Sequence, residues 1–181
     1  MIAFQDESAV RLLPCVGKTY APKGQTPIIE CDAKNKQYVS VSGVITPEGK
    51  SYFEVREQEG FKQKGLTRFL DNTRKSMRKN LLLVWDNAPS HKSKTVKEYL
   101  LAQEEENPKI WMANIPPYSP ELNPIEQLWA YLKKKLANQF FRTTKELKRA
   151  VLKELNEIKN DKKLIKRFFC HQELECYHFF T

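Results

Sequence analysis

The stretch Leu81-Leu-Leu-Val-Trp-Asp-Asn-Ala-Pro-Ser-His91 decides how the rest of the chain is read. Its first five residues are a continuous apolar run, the pattern of a central strand covered on both faces. Such a strand needs helices around it, and apolar residues recur at helical spacing on either side. Phe61, Leu66, Phe69, Leu70, Thr73 and Met77 mark one helix before it; Val96, Tyr99, Leu100 and Leu101 mark another after it. A short strand follows at Ile110 to Ala113, and then Ile125, Leu128, Trp129, Leu132 and Leu136 trace an amphipathic helix whose apolar stripe must face the sheet. Thr143 with Glu146 three residues on forms a capping box for a last helix carrying Leu147, Val151, Leu155 and Ile158.

Toward the N-terminus the period changes to that of strands. Ile2 to Gln5 is a short apolar start ended by Asp6, and Arg11 to Tyr20 is a second candidate. Val39, Val41 and Ile45 alternate with Ser40, Ser42 and Val44; after a turn at Thr46-Pro-Glu-Gly49, Tyr52 to Arg56 alternates again. Three antiparallel strands in a meander, followed by α-β-α-β-α, describe an α/β layer fold with a mixed five-stranded sheet flanked by helices. A right-handed crossover sets the Leu81 to Trp85 strand parallel to the first strand. Asp6 and Asp86 then meet at one sheet edge, where α/β proteins bind ligands.

The 181 residues fit about one domain, and 40% hydrophobic residues suffice for a core, which excludes wholesale disorder. No apolar run approaches the ~18 residues that span a bilayer, and Met1 leads into no basic or apolar targeting region, so a soluble, intracellular protein without a membrane partner is expected. Cys15, Cys31, Cys170 and Cys176 are too scattered for a disulfide scaffold and are taken as reduced thiols. Cys170, His171, Cys176 and His178 are metal-ligand types lacking the short C-x-x-C spacing of zinc modules, which leaves zinc or ordinary packing as readings. The formal charge is +9, and Arg142 to Arg167 alone holds ten Lys or Arg against four Asp or Glu. That density suits a polyanion such as nucleic acid, or else a solvated helical face.

Chemistry concentrates in three segments: Phe4-Gln-Asp-Glu-Ser8, Val84-Trp-Asp-Asn-Ala-Pro-Ser-His91, and Pro116-Pro-Tyr-Ser-Pro-Glu-Leu-Asn-Pro-Ile-Glu-Gln-Leu-Trp129. Each offers a carboxylate at the end of a strand or the start of a helix. Phosphodiester cleavage suits two divalent cations about 3.5 to 4 Å apart, and hard cations take carboxylate oxygens. Without a cation, such carboxylates would repel by roughly 4 kcal/mol per pair at 4 Å and an effective dielectric near 20.

These segments together resemble the catalytic domain of the mariner superfamily of DDE transposases, in its bacterial insertion-sequence branch. The hallmarks are an Asp-Glu after the first strand, an Asp-Asn-Ala-x-x-His after the fourth, and Ser-Pro-x-Leu-Asn-Pro-Ile-Glu-x-x-Trp on a helix. All three stand in order here, spanning Asp6 to Trp129. The resemblance implies an RNase H-like fold in residues 1–140, followed by a basic helical extension over 141–181. It implies cleavage of transposon ends and joining to target DNA with two Mg2+ (or Mn2+) ions, held by Asp6, Asp86 and Glu126. Two glutamates compete for the third place. Glu121 lies at the family's usual spacing, with 34 residues between it and Asp86, whereas Glu126 has 39; motif identity favours Glu126, the Glu of Asn-Pro-Ile-Glu.

Other residues have two readings each. Asn123, Pro124 and Glu126 also fit N-cap, N1 and N3 of a helix, so Glu126 is alternatively the acid of a capping box. Glu7 alternates away from Asp6 and is taken as structural or solvent-facing. Asn87 and His91 are candidate supporting residues, His91 either orienting a ligand, contacting a phosphate or simply packing. Lys92, Lys94, Lys133, Lys134 and Lys135 are candidate DNA contacts or a solvated face. Trp85, Trp111 and Trp129 are expected in the core, with base stacking as the alternative. Complete transposases of this kind carry helix-turn-helix modules ahead of the catalytic domain; with the first Asp at residue 6, the expectation is a catalytic part alone. End recognition then belongs to an upstream polypeptide or fused frame, with a dimer as the active complex and a cytoplasmic, nucleoid-associated location in a bacterium. The alternatives are an RNase H-like nuclease that hydrolyses without joining, and a retained DNA-binding remnant that no longer cuts.

Overall fold

The computed structural model describes residues 1–25, 27–28, 36–103 and 107–170. Five strands, β1 (Ile2–Arg11), β2 (Tyr38–Ile45), β3 (Ser51–Glu57), β4 (Leu81–Trp85) and β5 (Ile110–Asn114), form one sheet in the order β3-β2-β1-β4-β5. The β3-β2-β1 half is antiparallel, and β4 and β5 continue from β1 in parallel. Five α-helices complete the described fold: α1 (Gln63–Met77), α2 (Lys94–Ala102), α3 (Pro124–Lys135), α4 (Thr144–Asn160) and α5 (Lys162–Arg167).

The period-2 alternation of β2 divides its side chains between two cores. Val39, Val41 and Ile45 join Phe4, Ile125, Leu128, Trp129 and Leu132 under α3, α4 and α5. Val44 joins Ala3, Leu66, Phe69, Leu70, Leu83 and Trp85 under α1 and α2. Leu147, Val151, Leu155, Ile158 and Ile165 enter the first of these cores, so α4 and α5 pack on the sheet itself. The capping box at Thr143 forms half as expected: Thr143 Oγ1 accepts from Glu146 N at 3.2 Å, while Glu146 Oε2 accepts from Arg142 N at 2.8 Å rather than from Thr143. Among the described residues no helix is long and apolar enough to cross a membrane.

Four expectations need correction. First, β1 does not stop before Asp6: it runs to Arg11, because β2 pairs with it along Phe4 to Arg11 and supplies the ladder bonds that β4 no longer does. Second, residues 12–20 form no strand and carry no ladder. Third, β4 is not covered on both faces throughout, since Leu82, which alternates onto the α3 face with Val84, is 37% exposed. Fourth, Trp111 on the edge strand β5 is 51% exposed, not core, whereas Trp85 and Trp129 are buried. Helix α5 carried too short a pattern to be anticipated. Of the candidate zinc cluster, residues 171–181 lie outside the described residues, as does Cys31; Cys15 and Cys170 are free and exposed.

Candidate active site

Strand register brings the two aspartates together. Phe4 pairs with Val84 in the parallel β1-β4 ladder, so two further steps set Asp6 level with Asp86. Phe4 and Val84 both face α3, and the two aspartates therefore lie toward that side. Asp6 sits mid-strand, just past the point where β4 ends, and Asp86 is the first residue after β4. Asn123 caps α3, its side chain accepting from Ile125 N at 3.4 Å, and Pro124 opens the helix. Glu126 thus projects from the first turn. Its capping-box reading fails, since Asn123 N donates to Pro120 O at 2.9 Å.

Asp6, Asp86 and Glu126 line one open cleft of about 450 Å³, together with Asn87, Lys92 and Asn123. Pro116 to Pro120 form a wall of it, with Tyr118 exposed at the rim. Glu121 is exposed on the short 3-10 turn Pro120–Leu122 and does not line the cleft. Among the described residues no three His, Cys, Asp or Glu close tightly enough to enclose an ion as they stand. Lys94 lies outside the cleft, 3.6 Å from Glu98, and Lys133, Lys134 and Lys135 are exposed in the last turn of α3.

Each aspartate is held by protein donors. Trp129 Nε1 donates to Asp6 Oδ2 at 3.0 Å. Gly43, the cross-strand partner of Asp6, makes this possible: a Cβ there would stand 2.8 Å from Trp129 Cη2, so only glycine lets the indole lie this close to the sheet. Asp86 Oδ1 accepts from Ala88 N at 2.9 Å and lies 2.7 Å from His91 Nδ1, which also donates to the Asp86 carbonyl at 3.2 Å. Both neighbours of Nδ1 are acceptors, so Nδ1 carries a proton. Asn87 Nδ2 donates to Ile115 O at 2.6 Å and Trp85 Nε1 to Asn114 Oδ1 at 2.9 Å, which ties the Asp86 turn to the end of β5. His91 is thus buried beside Asp86 and stacked on Trp85. Sequence reading missed the Trp129 indole as a site group, although its spacing of three from Glu126 sets both on one face of α3.

Burial pushes the Asp6 carboxyl up, and the Glu126 charge adds to it; the Glu7 backbone N–H and the Trp129 indole oppose them, and the result is about 7 against an ordinary 3.8. Burial would lower the His91 imidazole, but Glu7 and Asp86 outweigh it and hold it above 6.5. Both groups bind a proton more tightly folded than unfolded. Their stabilisation is therefore present at low pH and lost as pH rises, for Asp6 between about 4 and 7. Expected: in chelator, Asp6→Asn melts above the parent protein at pH 8, and the gap closes as pH falls toward 4. A pH series of thermal melts checks this; a gap independent of pH contradicts it.

A family model described as DDE superfamily endonuclease matches residues 1–148. A 39 kDa protein of insertion element IS630 from Shigella sonnei is 27% identical over 132 residues, 72% of this chain and 37% of that protein. The mariner Mos1 paired-end complex with Mg superposes with a TM-score of 0.75 at 22% identity, over 98% of this chain and 53% of that one. The Mos1 transposase catalytic domain with Raltegravir and Mg superposes with a TM-score of 0.64 at 20% identity, over 98% and 80%. The fold is that of these transposase catalytic domains. The chain spans about a third of its curated relative and about half of the Mos1 chain in the paired-end complex.

Proposed function

The chain belongs to the DDE superfamily endonucleases, and from that premise we propose that it is the catalytic part of an insertion-sequence transposase, cutting DNA at transposon ends and joining those ends to target DNA. One observation supports this most: register and helix capping converge on a single cleft containing Asp6, Asp86 and Glu126, with Glu121 outside it. In this reading residues 1–140 are the catalytic unit and 141–181 a basic extension to it.

The cleft chemistry fits a hard divalent cation, Mg2+ or Mn2+. All three candidate ligands are carboxylates, and Asp6, pushed up by burial and by the Glu126 charge, has no cationic side chain paired with it among the described residues. Asp6, Asp86 and Glu126 would hold two such ions, which supply charge stabilisation at the attacking and leaving oxygens. Trp129 and His91 set the orientation of the aspartates. Glu126, exposed in the first turn of α3 and lining the cleft, would supply the third carboxylate. Lys92, on the cleft wall, is placed to receive a phosphate.

A cleavage and joining assay on the element's terminal DNA tests the proposal, with Mg2+ or Mn2+ and with or without a helix-turn-helix partner polypeptide. Nicked and joined products that vanish on chelation are expected. Nicks without joining would favour a plain nuclease; DNA binding without any cutting would favour an inactive remnant and overturn the proposal. The active complex is proposed as a dimer.

DNA binding by this chain is proposed to run mainly through phosphates. Lys133, Lys134 and Lys135 lie about 12 Å along α3 from Glu126, and the Arg142 to Arg167 segment is strongly basic, although Lys148 is engaged with Glu57 at 3.3 Å. Affinity is expected to fall about 10³-fold or more between 50 and 200 mM salt, with little preference for transposon ends. Fluorescence titration at two salt concentrations checks it. Salt-insensitive preference for the terminal sequence would mean that base readout resides in this chain.

A further inference from the structure

We propose that Glu7 is a positioning residue that acts through His91 to fix the carboxylate of Asp86. Successive residues of β1 point to opposite faces, so Asp6 serves the cleft while Glu7 emerges under α1 and α2. There its carboxylate is gripped: Gln5, fully buried, donates Nε2 to Glu7 Oε1 at 2.7 Å and lies 3.2 Å from Ser42 Oγ. Glu7 Oε2 is then 3.5 Å from His91 Nε2, a buried nitrogen with no hydrogen-bond partner of its own. The imidazole has little freedom to turn. It is 4% exposed and stacks on Trp85 at 4.1 Å between centroids and 1° between planes. With one edge drawn to Glu7, its other edge delivers Nδ1 to within 2.7 Å of Asp86 Oδ1.

The consequence falls on an otherwise loosely held group. Asp86 has left the sheet and its side chain is 53% exposed, and among the described residues the Ala88 N–H and this ring are what hold its carboxylate. Both restraints engage Oδ1, which leaves Oδ2 for the cleft. The Asp6-Glu7 pair thereby divides its labour across the sheet, one carboxylate lining the cleft and the next bracing, through the ring, the carboxylate of β4. Replacing Glu7 removes the carboxylate that stands against this edge of the ring, and the ring and Asp86 gain freedom. This inference rests on reading Asp86 as a metal ligand; groups standing behind metal ligands are commonly worth 10- to 100-fold in metal affinity.

The test uses Glu7→Gln and Glu7→Ala in the full chain, both checked for native melting, with Asp86→Ala as reference. Mn2+ affinity is measured by calorimetric titration, and the His91 ring N–H by nitrogen-proton NMR of the metal-free protein, its signal assigned by its loss in His91→Asn. Expected: Mn2+ binding weakens about ten-fold in both Glu7 variants, and the His91 Nδ1–H signal shifts or broadens. If Glu7→Ala fails to fold, Glu7→Gln decides. Unchanged Mn2+ affinity in the Glu7 variants, with Asp86→Ala weakened, overturns the role of Glu7 and leaves the metal centre standing. An unchanged His91 signal overturns the role as well. Unchanged Mn2+ affinity in Asp86→Ala overturns the metal reading, and this inference with it.

Discussion

Alanine at Asp6, Asp86 or Glu126 is expected to lower metal-dependent cleavage and joining by about 10³-fold or more, while Glu121→Ala stays within about two-fold of the parent. Charge stabilisation of the transferring phosphate is the main work asked of such a site, and each carboxylate is needed to hold the ions that provide it. DNA binding should survive these changes or tighten slightly, since each removes negative charge from a surface that receives phosphate. Loss of cleavage with retained binding therefore separates a chemical role from a folding one. A product assay paired with a binding titration on the same preparations reads both. Comparable cleavage by Asp86→Ala, or a collapse of activity in Glu121→Ala with Glu126→Ala active, would reverse the assignment.

Replacing Trp129 is expected to give the largest loss of stability and, in a conservative form, a loss of activity without it. Trp129 is among the largest fully buried side chains, packed with Phe4, Val41, Leu128 and Leu132 beneath Gly43. Trp129→Ala should cost about 3 to 5 kcal/mol, which for a chain of this size lowers the melting temperature by roughly 6 to 20 °C. Trp129→Phe keeps most of the apolar contact but has no N–H for Asp6 Oδ2. It should remain folded while losing about ten-fold in Mg2+-dependent cleavage, partly restored by raising the Mg2+ concentration. Thermal melts and a metal titration of the cleavage rate separate the two effects; a Trp129→Phe protein with the parent's metal dependence would show the indole N–H to be incidental.

The two faces of the sheet thus contribute differently. On the α3 side the core carries Asp6 and its indole donor; on the α1 and α2 side it carries the Glu7, His91 and Trp85 assembly behind Asp86. A single strand, β1, serves both through the alternation of Asp6 and Glu7. The cleft lies where β1 outruns β4, so that backbone no longer paired on that side is free to face a ligand.

The local pattern of the chain was enough for the five strands, for helices α1 to α4, for the N-cap at Asn123 and for the motif spelled from Ser119 to Trp129, because each depends on residues a few positions apart; the parallel pairing that brings Asp6 to Asp86 followed from the handedness of the crossover. What it could not decide depends on distant partners. How far β1 extends is set by β2 and not by its own apolar run, which stops at Gln5. Trp85, Trp111 and Trp129 look alike in sequence, yet Trp111 is left half exposed because β5 is the edge strand, and Trp129 becomes a donor to a carboxylate 123 residues away. Glu7 read as an outward alternate of Asp6, since nothing local shows that His91, from another strand's turn, closes over it. Periodicity reports which way a side chain faces; only the packing of the sheet against its helices decides what it meets there.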